Sequence, residues 1–243
     1  MKPSTFTYPY PRPSLTVDCV IFGLDAKMSL QLLLVRRGGE PYRGHWALPG
    51  GFVEVSDDPD NQGEDLEAAA RRELQEETGA KIAYLEQLCT FGRPGRDTRG
   101  RVISVAYMAL VRSTEHAVRG GDDAELAEWI PVASLPKLRA NLAFDHAEMI
   151  DVAIARLQAK VRYAPIGFNL LPPTFTLGEL QKVYEAVLQR PIDKRNFRRR
   201  ILAMDLLSAV GVQQNVQHRK AAIYKFDRRA YDRAVRDGFN FEV

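Results

Sequence analysis

Three glutamates stand close together in the run Arg72-Glu73-Leu74-Gln75-Glu76-Glu77-Thr78-Gly79. Residues 64–78 are rich in Ala, Leu, Glu and Arg, which predicts a helix, and Gly79 is placed to stop it. With Leu66 set at zero on a helical wheel, Ala70 falls at about 40°, Leu74 at about 80° and Ala69 at about 300°. Those three define the buried stripe, and Glu73 at about 340°, Glu77 at about 20° and Glu76 at about 280° lie in or beside it. Carboxylates this close repel one another, and burial raises their pKa unless a cation sits among them. Oxygen ligands at this density suit Mg²⁺ or Mn²⁺, ions that also hold substrate phosphates. Such an ion lowers the pKa of an attacking water, and a carboxylate can take the proton. The other reading is an ordinary helix with Glu–Arg pairs, such as Arg72 with Glu76.

A second set of residues is basic. Thr176-x-x-Glu179 is a capping box, and Leu180, Val183, Tyr184, Val187 and Leu188 follow it as one apolar helical stripe. After a turn at 189–192, Asp193 can cap a further helix over 194–208. Relative to Phe197, Ile201 falls at about 40° and Met204 at about 340°, whereas Arg195, Arg199 and Asn196 fall at about 160°, 200° and 260°. Arg198 flanks the apolar face, and Lys194 and Arg200 add charge at either end of the basic run. Residues 212–216 and 221–226 then read as a hairpin whose tip carries His218, Arg219 and Lys220. Arginine reads guanine and asparagine reads adenine in the major groove of double-stranded DNA, and two such helices with a basic hairpin form a winged helix-turn-helix. A solvated basic face, an RNA contact or an acidic protein contact are the alternatives.

The elements that must position these groups are mixed. Strands are expected over 15–22, 30–35, 81–91 and 102–112, with a short strand or bend at 128–131 and a second helix at 144–161. The fold class is therefore mixed α/β, or α+β. A proline-rich arm (1–14) precedes a body over 15–162. Residues 163–173, with three prolines, read as a linker, and 174–243 as the basic domain. Residues 173–243 hold 14 Lys+Arg against 8 Asp+Glu, a net +6, while the whole chain is only +3. An acidic body with a basic tail is the footprint of a module that meets a polyanion. Two cysteines make no disulfide framework and four histidines lie in no zinc spacing. No apolar run has the roughly 18 residues of a membrane span and the N-terminus has no secretory h-region, so a cytoplasmic protein without membrane contact is expected.

The pattern Gly63-Glu64 to Arg72-Glu73-Leu74-x-Glu76-Glu77-x-Gly79-Ala80, preceded by Gly50-Gly51, resembles the Nudix box, G-x5-E-x7-R-E-U-x-E-E-x-G-U. Its second half fits residue by residue. Its first half departs: twelve residues separate Gly51 from Glu64 where the box has five, and the extra stretch is the acidic loop 56–62. The resemblance implies a Nudix α/β/α sandwich, Mg²⁺ on Glu73, Glu76 and Glu77, and a nucleoside diphosphate linked to another group. If the longer loop displaces metal or substrate, the pocket binds without cutting. A diphosphate needs guanidiniums. Arg36, Arg37 and Arg43 flank Trp46, and Arg93, Arg96, Arg99 and Arg101 crowd the loop 92–101, though any one of them alone is better read as a solvated surface residue. Residues 100–107 and 142–146 are similar to Nudix proteins that handle ADP-ribose, so His146 is a candidate ligand contact beside a capping or core role. Trp46 and Phe91 are candidates for stacking on adenine or for the core. Residues 193–202 and 218–227 complete a resemblance to the Nudix-related regulators of NAD metabolism, the NrtR family. That resemblance implies a homodimeric repressor of NAD biosynthesis or salvage genes on a palindromic operator, released by ADP-ribose. An active ADP-ribose or nucleotide-sugar pyrophosphatase with an accessory domain, and an RNA-associated Nudix protein, are the rival expectations.

Overall fold

An eleven-residue strand, β1 (Ser14–Leu24), divides the chain's apolar side chains between two cores. Val17, Cys19 and Ile21 face Ala69, Ala70 and Leu74. Val20, Phe22 and Leu24 face Met149, Ile150, Ala153 and Leu157. This is the period-two alternation of a strand covered on both sides, which is why its sequence reads as a nearly continuous apolar run. The computed structural model describes residues 9–58, 61–79, 82–112, 124–214 and 220–243.

Around β1 the chain continues as β2 (Leu30–Arg37), β3 (Trp46–Ala47), β4 (Gly50–Phe52), the small hairpin β5 (Val55–Asp58) and β6 (Asn61–Gly63), and α1 (Leu66–Thr78). β7 (Tyr84–Phe91), β8 (Val102–Leu110) and β9 (Ala124–Pro131) follow, then α2 (Leu135–Leu138) and α3 (His146–Tyr163). The main sheet runs β3-β2-β1-β8-β7, with β4 added to β1 and β9 to β2, and only the β1–β8 pair is parallel. Helix α1 covers one face and α3 the other, so the sheet is the middle of three layers. The Asp65 side chain accepts from the Glu67 amide at the start of α1, and Gly79 ends it at φ +64°. Residues 128–131 belong to an eight-residue strand, β9. Helix α3 starts at His146 and not at 144, because Phe144 takes a positive φ of 49° that a helix cannot contain.

The two ends of the acidic loop meet each other ahead of α1. Val55 and Gly63 are register partners at the base of the β5–β6 hairpin. Just below them the Glu54 amide donates to Glu64 Oε1 (2.9 Å) and the Glu64 amide to the Glu54 carbonyl (3.1 Å). Removing residues 56–62 on paper leaves five residues between Gly51 and Glu64, the spacing of the box.

The C-terminal elements are β10 (Phe175–Thr176), α4 (Leu177–Leu188), α5 (Lys194–Ala203), β11 (Leu207–Val212), β12 (Ala222–Phe226) and α6 (Arg228–Arg236), with strand order β10-β12-β11. The helix expected over 194–208 ends at Ala203, since Asp205 turns the chain at φ 53°, and the hairpin pairs 207–212 with 222–226. His218 and Arg219, expected at its tip, lie outside the described residues, while Lys220 is exposed. Residues 163–173, expected as a linker, are packed. Pro165–Leu170 forms a 3-10 helix with Ile166, Phe168 and Leu170 buried. Phe168 stacks on Phe226 at 4.3 Å, and a Cβ on Gly167 would lie 3.3 Å from both Tyr184 and Val161. Tyr184, Val187, Phe197 and Ile201 thereby join the same apolar core as Phe22, Leu34 and Met108. No helix among the described residues is long and apolar enough to cross a membrane.

Deleting residues 56–62 joins two positions that already face each other. The deletion variant is expected to keep a single cooperative unfolding transition in calorimetry, with Tm within about 4 °C of the parent. Loss of that transition would show that the hairpin supports the box.

Candidate ligand cleft and nucleic-acid interface

Strand β4 crosses the inner face of α1 so closely that a Cβ on Gly51 would sit 2.2 Å from Glu73 Oε1. Glycine is what admits the carboxylate there. Glu73 is buried, Glu77 half-buried and Glu76 exposed, so the inward phase expected for all three holds fully only for Glu73. The cation among them is Arg72. Its Nη1 donates to Glu73 Oε1 (2.7 Å) and Glu76 Oε2 (3.2 Å), and its Nη2 and Nε to the two oxygens of Glu64 (2.6 and 3.1 Å). The hydrogen bond from Arg72 holds the Glu64 carboxyl below its usual range. Burial nevertheless pushes the Glu73 carboxyl up, against the pull of Arg72. Glu77 Oε2 accepts from the Gly50 amide at 3.0 Å. Among the described residues no three His, Cys, Asp or Glu side chains converge as a metal-ligand set. Glu73, Glu76 and Glu77, the expected Mg²⁺ ligands, all line the cleft, with Glu73 and Glu76 bonded to Arg72 and Glu77 to a backbone amide.

The carboxylate end opens into a cleft of ≈ 810 Å³. Its cationic wall comes from Arg36 and Arg37, at the end of β2, and Arg99. Arg37 donates to the Pro41 carbonyl (2.8 Å) and lies 5.0 Å over the Phe144 ring. Burial and the neighbouring Arg99 charge lower its pKa. Arg99 is bidentate on Asp97 (3.0 and 2.7 Å) and lies over both Phe52 and Phe144. Arg96, 3% exposed, is held by Asp145 (2.9 and 2.7 Å), so its charge is spent within the protein. Gly50 and Gly51 line the cleft, as expected; Arg43 and Trp46 do not. Arg43 is exposed and donates to the Gly38 carbonyl, Trp46 packs beside the α3-side core, and Phe91 is buried in that core. His146 lines the cleft from the first turn of α3. Its Nδ1 accepts from the Leu48 amide at 2.9 Å, leaving Nε2 as the N–H, and burial lowers its pKa. The Nε2 lies 3.5 Å from Asp18 Oδ1. Thr16, Asp18, Asp97, Phe52 and Phe144 also line the cleft and were missed in the sequence. The available sign was a carboxylate, Asp18, inside the apolar run of β1.

The basic helix stands on the other half of the molecule. The Glu179 amide donates to Thr176 Oγ1 (3.2 Å) and the Thr176 amide to Glu179 Oε2 (2.7 Å), completing the capping box of α4. Asp193 Oδ1 accepts from the Asn196 amide at 2.7 Å and starts α5. Phe197 and Ile201 are buried, Phe197 edge-on to Tyr184 at 5.1 Å. Lys194, Arg195, Arg199 and Arg200 are exposed, and Asn196 accepts from Arg199 Nη2 at 2.8 Å. None of the four exposed cations forms an ion pair among the described residues. Arg198 differs: it is half-buried against the start of α4, with its Nη2 3.9 Å from the Cβ position of Gly178 and its Nε enclosed.

A model of the NUDIX domain matches residues 12–152, and a model of the NrtR DNA-binding winged helix domain matches residues 167–226. Over 232 residues the chain is 38% identical to the ADPR responsive transcriptional repressor NtrR of Acinetobacter baylyi, covering 96% of this chain and 87% of that one. The crystal structure of Shewanella oneidensis NrtR complexed with a 27mer DNA aligns with a TM-score of 0.76 at 35% identity, over 93% of this chain and 97% of that one. The NUDIX domain of the same protein complexed with ADP ribose aligns with a TM-score of 0.54 at 36% identity, over 62% of this chain and 94% of that one. The box around α1, the basic helix α5 and a similarity that runs through both halves lead to one assignment: this chain belongs to the NrtR family, with a NUDIX domain followed by a DNA-binding winged helix.

Proposed function

We propose that this protein is a homodimeric, cytoplasmic repressor that binds a palindromic DNA operator of NAD biosynthesis or salvage genes and releases it when ADP-ribose fills the cleft. The observation that carries this reading is the exposed row Arg195, Arg199 and Lys194, unpaired with carboxylates among the described residues and built on the same core as the cleft. Arginines on the outer face of the second helix of a winged helix-turn-helix meet base edges and phosphates in the major groove. The cleft suits ADP-ribose by size and charge: ≈ 810 Å³ with Arg36, Arg37 and Arg99 along one wall. The Acinetobacter relative is named for its response to ADPR, and the Shewanella relative has been crystallised with DNA and, as its NUDIX domain, with ADP ribose.

Helix α3 is the path between the two sites. Its first residue, His146, lines the cleft, and Arg96 grips Asp145 just before it. Its last turns carry Val161, which lies against Gly167 and shares an apolar core with Tyr184 of the DNA-binding half. A ligand shifts such a molecule only by binding its two states unequally, and a tenfold coupling is about 1.4 kcal/mol. Cleavage of the ligand is no part of this reading, which needs only that the two states bind it unequally.

In fluorescence anisotropy at fixed salt, Arg195→Ala and Arg199→Ala are each expected to weaken operator binding by about tenfold or more while ADP-ribose binding stays intact. Unchanged operator affinity in both would sink the assignment of α5. Arg37→Ala is expected to weaken ADP-ribose binding by calorimetry, so that more ligand is needed to release DNA, with operator affinity in its absence unchanged. Incubation with ADP-ribose and Mg²⁺ is expected to release no AMP in excess of a Glu77→Gln control. Rapid AMP release that this substitution abolishes would establish the pyrophosphatase reading instead.

A further inference from the structure

We propose that Thr16 and Asp18 are the sugar-reading groups of the cleft, and that they take the vicinal diol of a ribose. This rests on the reading of the cleft as a site for a ribose-containing diphosphate. The face of β1 that looks toward α3 carries Thr16, Asp18, Val20, Phe22 and Leu24 in succession. It is apolar where α3 lies over it and polar where it enters the cleft.

Thr16 is 6% exposed, lines the cleft, and its Oγ1 has no hydrogen-bond partner. A buried hydroxyl without a partner costs free energy, and such groups are rare enough that each needs a reason. A ligand hydroxyl supplies one. Asp18, two residues on and on the same side of the strand, is held firmly: Ser104 Oγ donates to Oδ2, His146 Nε2 lies 3.5 Å from Oδ1, and Arg96 Nη2 lies 3.9 Å from Oδ2. A carboxylate offers about four lone-pair directions, so acceptor capacity remains on Asp18.

The carboxylate of Asp18 repels a phosphate and accepts from a hydroxyl. A diol, which donates to a carboxylate and exchanges a bond with a hydroxyl, matches what Thr16 and Asp18 leave open; acidic side chains read ribose hydroxyls in the same way in dinucleotide sites.

The test is calorimetric titration of the full chain with ADP-ribose and, separately, with ADP, which has the adenosine ribose but no second one. Thr16→Val is expected to weaken ADP-ribose binding by about three- to tenfold, and Thr16→Ser to restore it. Asp18→Asn is expected to lose more than about tenfold. The Tm of the Thr16→Val protein should not fall, because the hydroxyl has no internal bond to lose. A loss confined to ADP-ribose places the diol on the terminal ribose, and an equal loss with ADP places it on the adenosine ribose; either outcome sustains the proposal. Thr16→Val binding as tightly as the parent, or Thr16→Ser binding as weakly as Thr16→Val, overturns it. A parent protein that ignores ADP-ribose overturns the effector reading itself, and is a different result from a parent that binds and a variant that binds equally.

Discussion

A charge cannot be buried in this fold without a partner, and around the cleft Arg72 and Arg96 meet that requirement, with Arg99 doing the same for Asp97. Arg72 gathers Glu64, Glu73 and Glu76 at one end, and Arg96 gathers Asp145 and approaches Asp18 at the other. Each is tied to more than one element, so each fixes backbone as well as charge. Arg72 also donates to the Phe52 carbonyl and thereby binds α1 to the strand β4 that carries the glycines. Arg96 ties the 92–101 loop to the start of α3. Removing either would leave carboxylates facing one another in a partly dry space, where the loss exceeds the worth of the bond removed.

The same economy of partners explains why the arginines of the cleft have different parts. Arg96 is wholly engaged, and Arg99 is shared between Asp97 and two aromatic rings. Arg37 bonds a backbone carbonyl and keeps most of its charge for the cleft. From the floor of that cleft the apolar core runs without a break through Val161, Phe168 and Tyr184 to Phe197 on the basic helix. A displacement at the start of α3 therefore meets close-packed side chains all the way to α5, and packed interiors pass strain on with little compliance.

Much of this was legible in the sequence wherever a local rule decided the outcome. The glutamate helix with Gly79 at its end, the capping box at Thr176 and the cap at Asp193 depend on neighbours a few residues away. What was not legible depends on distant contacts. Residues 163–173 carry prolines and look like a tether, yet Phe226, from the far end of the chain, turns Phe168 into core. Residues 204–208 have helix-forming composition, but Asp205 reverses the chain and Leu207 finds a strand partner. The wheel placed Arg198 on the flank; only the position of α4 shows that it leans on Gly178. Thr16 and Asp18 were hidden because β1 is covered on both faces, which makes a polar position within it look like an interruption of a hydrophobic run.

The hairpin at 55–63 bears on how such a protein can change. Because its two ends face each other across a strand pair, the number of residues between them is nearly invisible to the box on either side. A motif written as a fixed count of residues measures contour length, whereas the fold responds only to the gap that the chain must bridge. The loop beside the glutamates is therefore a place where lineages can add or remove sequence, and where an experimenter can graft a reporter peptide or a dye, a few residues from the cleft, at small cost to the architecture.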